Sequence, residues 1–136
     1  ILHPSSFSLP LSMASKIKKI SPILSVKDMG VTSSFYKEIL GFRFIHETPA
    51  YFILENNGQE LHLSVASAVR SQETQGHREI YIEVSNIQEL WDRIKEIKDR
   101  YKITDLFNRD FRMTEFHIED PDGCLVLIGE RLALTM

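Results

Sequence analysis

The chain has a single cysteine, Cys124, which excludes an intramolecular disulfide framework and any thiolate zinc cluster. It has no excess of charge of either sign: 16 basic against 19 acidic residues give a net charge of -3, so there is no basic footprint for nucleic acid. No apolar run approaches the roughly 18 residues that span a bilayer, and the basic "KIKK" follows the mildly apolar "FSLPLSM" rather than preceding it, the wrong order for a signal peptide. These features lead us to expect a cytoplasmic protein with neither nucleic acid nor membrane as a partner. What is present is enough apolar material for one core: 43% of 136 residues, the size of one domain or of two small repeats sharing a core.

The first dozen residues, "ILHPSSFSLPLS", hold two prolines and four serines without periodicity, and Met13 followed by Ala-Ser resembles a translation start. Residues 1–19 are therefore expected to be a leader or N-terminal arm, 20–130 one domain, and 131–136 a tail. From Ser21 the pattern sharpens. "SPILSV" alternates as a strand does, Asp28 can cap a helix carrying Val31, Phe35 and Ile39, and Gly41 can end it. Alternating runs at 42–48, 51–55 and 60–65 complete a βαβββ module over 20–66, the last two joined by the turn signal "ENNGQE".

After the polar link "ASAVRSQETQGH" the order returns over 78–130. "EIYIEV" is a strand, and Asn86 with Glu89 reads as a capping-box start. Ile87, Leu90, Trp91, Ile94 and Ile97 make a helical stripe. Strands are expected at 103–107, 112–119 and 124–129, with "DPDG" serving as a turn and nothing more. The repeat also survives residue by residue: "ILSVKD" at 23–28 overlays "YIEVSN" at 81–86, and "NGQELHLSV" at 57–65 overlays "DGCLVLIGE" at 122–130. The expected fold class is α+β, two βαβββ modules forming a cupped mixed sheet.

With "VKDMGVTSSFYKEILGFRF" at 26–44 and "HIEDPDGCLVLI" at 117–128, the chain resembles the vicinal oxygen chelate superfamily, which includes glyoxalase I, fosfomycin-resistance transferases, bleomycin-resistance proteins and ring-cleaving dioxygenases. One scaffold here serves many chemistries, so the resemblance implies fold more than reaction. It also implies that metal-using members draw ligands from the first and fourth strand of each module, positions that fall here on Ser21, His62, Glu79 and Leu127. Only His62 and Glu79 are good ligands for a divalent transition metal, and Leu127 cannot coordinate at all. No metal or other cofactor is therefore expected. The alternative is a two-His-one-carboxylate set of His62, Glu79 and a recruited His117, the last at a position where fosfomycin-resistance relatives place a substrate-contacting residue.

Strand alternation extends the face. Ser21, Ile23 and Ser25, Glu60, His62 and Ser64, Glu79, Tyr81 and Glu83, and Leu125 and Leu127 share the cup. Leu24, Val26, Ile80, Ile82 and Val84 turn toward the helices. The expected ligand pocket is Ser21, Ile23, Glu60, His62, Glu79, Tyr81, His117 and Leu127. Its acidic residues favour a cationic or hydrogen-bond-rich small molecule. Two functional readings follow: a binding protein of the bleomycin-resistance type holding a ligand without metal, or a glyoxalase-like lyase or isomerase, or dioxygenase-type enzyme, using His62 and Glu79 as an acid/base pair. The resemblance further implies a homodimer in which His62 faces Glu79 of the twin chain.

Overall fold

The chain builds one motif twice, strand, helix and three strands, as seen in a computed structural model that describes residues 15–65 and 78–133. The first module comprises β1 (Ile23–Val26), α1 (Met29–Leu40), β2 (Arg43–Glu47), β3 (Tyr51–Asn56) and β4 (Gln59–Val65). The second comprises β5 (Glu79–Glu83), α2 (Ile87–Ile94, continued by a 3-10 turn over Lys95–Ile97), β6 (Phe107–Asn108), β7 (Met113–Glu119) and β8 (Leu125–Arg131). Each module forms a four-stranded mixed sheet, in the orders β1-β4-β3-β2 and β5-β8-β7-β6. The expected leader up to residue 14, the link 66–77 and the end of the tail lie outside the described residues. No helix among the described residues is long and apolar enough to cross a membrane.

The register preserves the internal repeat. Ile23 lies opposite His62 in the first parallel pair, and Tyr81 lies opposite Leu127 in the second, as the two sequence overlays require. Alternation does the rest: Leu24, Val26, Leu61 and Leu63 are buried on one face of the first sheet while Ile23 is 60% exposed on the other.

Local signals explain most element ends. Asp28 is extended and its side chain accepts a hydrogen bond from the Val31 N–H, while Gly41 adopts the left-handed conformation (φ 71°) that closes α1. β1 begins only at Ile23 because Pro22 has no N–H for a ladder, although its carbonyl still accepts from His62 N. Ser21, expected on the strand, therefore precedes it.

Several expectations are corrected. Val31 is 53% exposed, and α1 buries Met29, Thr32, Phe35, Tyr36 and Ile39, because a 3.6-residue period drifts off a strict four-residue spacing. Asn86 makes no side-chain cap. It is left-handed (φ 61°), and the Glu130 carboxylate on β8 accepts from the Asn86 and Ile87 N–H groups instead. The strand expected at 103–107 is broken. Ile103 makes an isolated bridge to Ile118, the Thr104 hydroxyl takes the His117 N–H, and pairing resumes only at Phe107. On the helical stripe, Trp91 is partly buried and packs against the core, its indole N–H on the Thr104 carbonyl.

One apolar cluster runs through both modules, from Leu24, Val26, Phe35 and Ile39 to Phe116, Ile118, Val126 and Ile128. Phe35 is fully buried and meets Tyr101 edge to face at 5.1 Å, so truncating it to alanine should cost about 3 to 5 kcal/mol. The "DPDG" turn does more than turn. Buried Asp120 accepts from the Tyr36 hydroxyl and from the N–H groups of Asp122 and Cys124. Asp122 accepts from Arg78 Nη1 and from the Lys27 N–H, and the same Arg78 nitrogen reaches the Ser25 carbonyl. The hairpin of the second module is thus pinned to β1 and α1 of the first.

Candidate functional site

On the open face of the first sheet, β3 and β4 place Tyr51, Glu60 and His62 together. The Tyr51 hydroxyl lies 2.6 Å from His62 Nδ1, and His62 Nε2 lies 3.1 Å from Glu60 Oε1. Lys19 salt-bridges the other oxygen of Glu60, and the hydrogen bonds from Lys19 and then His62 hold that carboxyl below its usual range. A carboxylate can only accept, so His62 carries its proton on Nε2, and in the neutral ring Nδ1 accepts from Tyr51. Both ring nitrogens of His62 are therefore engaged.

The second sheet carries a different arrangement: Glu115 stands at the position equivalent to Tyr51, but its partners Tyr81 and His117 stand at the positions of Ile23 and Ile53 rather than those of Glu60 and His62. Glu115 on β7 is fully shielded from solvent. Tyr81 on β5 donates to its Oε2 at 2.7 Å, His117 Nε2 meets its Oε1 at 2.8 Å, and Arg109 lies 3.7 Å away. Burial acts to raise the Glu115 pKa, but the hydrogen bonds from His117 and Tyr81 and the Arg109 charge outweigh it, and the carboxyl is held below its usual range. The same contact pushes the Tyr81 phenol up to about 12, with desolvation the larger cause.

Gly129 makes this network possible. Tyr81 on β5 reaches Glu115 on β7 across the intervening β8, and Gly129 on β8 lies opposite Glu115. A Cβ at Gly129 would stand 2.0 Å from the Tyr81 hydroxyl, so any side chain there would expel it. His117 lies opposite Leu127, and Phe107 packs edge to face on its ring at 5.0 Å.

The expected site residues divide accordingly. His62 and Glu60 come together, as do Tyr81 and His117 through Glu115. Ile23 and Leu127 lie beside these groups on the two open faces. Glu79 is exposed at the start of β5, on the other sheet from His62, and the two make no hydrogen bond or ion pair within the chain. The four positions implied by the resemblance supply two ligating side chains, and no group of three His, Cys, Asp or Glu that could hold a metal ion occurs among the described residues. His62, Glu79 and His117 do not form such a group among the described residues of one chain. The cup is also less acidic than its composition implied, because Glu60, Glu83 and Glu115 face Lys19, Arg131 and Arg109.

Sequence reading missed Glu115, Tyr51, Arg109, Lys19 and Gly129. The signal for Glu115 was available, since it stands two residues before His117 and so shares its face. Where the edges of the two sheets approach, a half-open cavity of about 530 Å3 is walled by Pro22, Glu60 and Leu61 on one side and by Ile80, Tyr81 and Ile82 on the other.

Comparison with known proteins agrees with this architecture. The model of the Glyoxalase/Bleomycin resistance protein/Dioxygenase superfamily matches residues 16–128, and the chain belongs to that family. A bleomycin resistance protein of Geobacillus stearothermophilus is 29% identical over 125 residues, covering 82% of this chain and 95% of the relative. Among solved structures, the bleomycin resistance determinant encoded on transposon Tn5 superposes with a TM-score of 0.70 at 18% identity, over 85% of this chain and 98% of that one. The bleomycin-binding protein of Streptomyces verticillus, solved with copper(II)-bleomycin, gives 0.69 at 19% identity, over 89% and 100%. A lactoylglutathione lyase of Agrobacterium tumefaciens gives 0.67 at 16% identity, over 85% and 95%, so the fold alone does not separate binders from enzymes.

Proposed function

We propose that this chain is a small-molecule-binding protein of the glyoxalase/bleomycin-resistance type, holding its ligand on the open faces of the two sheets without a metal. The observation that carries this reading is the donor inventory of those faces. His62 and Glu115 are locked by protein partners, and Leu127 occupies a position where the family's enzymes use a ligand side chain. Exposed apolar surface at Ile23 (60%) and Tyr81 (46%) beside these polar groups is the usual composition of a small-molecule site. The relatives named for bleomycin make bleomycin the first ligand to try.

Two further elements belong to the same proposal. The exposed apolar residues of the open faces, Ile23 and Tyr81, suit coverage by a second copy in a two-fold homodimer. A cytoplasmic location suits Cys124, which is buried and whose thiol is pushed up to about 12 by that burial, keeping it inert. Thermal melting with and without bleomycin tests the binding reading. A melting point that rises with ligand concentration supports it, since a ligand of the folded state stabilises by mass action. A melting point indifferent to saturating bleomycin and to a panel of other antibiotics contradicts it.

A further inference from the structure

His117 differs from His62 in one respect that bears on recognition. Both rings give Nε2 to a carboxylate, but His62 Nδ1 is filled by Tyr51 whereas His117 Nδ1 has no hydrogen-bond partner among the described residues. The His117 side chain keeps 17% of its surface exposed, and Arg78 Nε is the single buried unpaired side-chain nitrogen or oxygen among the described residues. Because an ionised Glu115 only accepts, the neutral His117 ring keeps its proton on Nε2 and presents Nδ1 as an acceptor. Apolar side chains adjoin that ring, and the Arg109 guanidinium lies 3.7 Å from the Glu115 carboxylate that the ring meets. Leu127 is the cross-strand neighbour of His117, Tyr81 flanks Leu127 on the next strand with 46% of its surface exposed, and Phe107 backs the ring.

We infer that His117 Nδ1, Tyr81 and Leu127 form a recognition site for a flat apolar group bearing an O–H or N–H donor, such as a phenol or an indole, with Glu115 as the positioning residue. Glu115 touches no ligand: both oxygens are occupied and the side chain is fully shielded. Its role is to fix the His117 tautomer and to hold the Tyr81 ring over Gly129, where no side chain obstructs it. The inference rests on the binding reading above, to which it adds the ligand chemistry.

The test is nitrogen-15 NMR of the imidazoles in the free protein at about pH 9, above the ordinary imidazole pKa of about 6.5. The expected spectrum shows His117 as a single tautomer protonated at Nε2. Glu115→Leu should release it to a mixture, and Glu115→Gln, whose amide oxygen can still accept, should restore it. A proton on Nδ1 in the wild-type protein, or an unchanged tautomer in Glu115→Leu, overturns the inference. If Glu115→Leu does not fold, the wild-type spectrum alone decides the tautomer. Titration with phenol, and with anisole as a match lacking the donor, then reads the site. Phenol should shift the His117 and Tyr81 resonances and bind about tenfold tighter than anisole, a difference that His117→Phe should abolish. Equal affinities, or shifts elsewhere only, contradict it. These measurements do not use bleomycin, so failure to bind bleomycin strikes the functional reading and not this one.

Discussion

The Tyr36 hydroxyl donates a 2.6 Å hydrogen bond to Asp120 Oδ2, joining the helix of the first module to the last hairpin of the second. Both groups are buried, and burial pushes the Asp120 carboxyl up despite the hydrogen bonds that oppose it. Removing the donor in Tyr36→Phe strands one carboxylate oxygen in the core. A loss of about 1 to 3 kcal/mol is expected from denaturant melts, with little change in secondary structure by circular dichroism.

The Arg78 to Asp122 pair is the second intermodule fastening. Asp122 is 5% exposed and Arg78 16%, and the arginine also serves the Ser25 and Asp122 carbonyls. Arg78→Ala should cost on the order of 2 to 4 kcal/mol, toward the lower side of fully buried pairs because the guanidinium keeps some solvent. Hydrogen exchange should show the loss first in β1 and in the 119–124 turn.

The cap of α2 comes from a distant strand. Glu130→Ala leaves the Asn86 and Ile87 N–H groups without their acceptor and should cost about 1 kcal/mol. Asn86→Gly, by contrast, keeps the left-handed backbone at lower strain and should change stability by only a few tenths of a kcal/mol. Paired thermal melts of the two variants separate these outcomes.

The two buried carboxylates titrate with opposite sign. The Glu115 pKa is held below its ordinary 4.5, so the unfolded chain binds the proton more readily; the stabilisation is full above the ordinary value and is lost as pH falls through the lowered one. Asp120 is raised above its ordinary 3.8, so stability from this group falls as pH rises from that value through the raised one. Relative to wild type, Glu115→Gln should therefore lose most near pH 6 and least near pH 3, and Asp120→Asn should gain as pH rises through the carboxylate range. Urea midpoints across that range check both signs.

The parts of this molecule legible in the sequence are those set by near neighbours. Asp28 and Gly41 bound α1 through local geometry, and alternation put His62, Tyr81 and Leu127 on one face and Val26 and Ile82 on the other. What sequence reading missed depends on pairing across strands. Nothing near Asn86 reveals that Glu130 caps the helix, and the pairing of Tyr81 with Glu115 depends on Gly129 coming between them once three strands align.

Leu127 is where binding without a metal is most exposed to test. The protein is stripped with a chelator, dialysed, and titrated with bleomycin in a calorimeter as wild type and as Leu127→Glu. Saturable binding by the metal-free wild type is expected, together with a loss of about tenfold or more in Leu127→Glu, which sets an unpaired carboxylate between Tyr81 and His117. Binding that disappears on chelation and returns with zinc or nickel would contradict it, and so would a Leu127→Glu variant that binds as tightly as wild type.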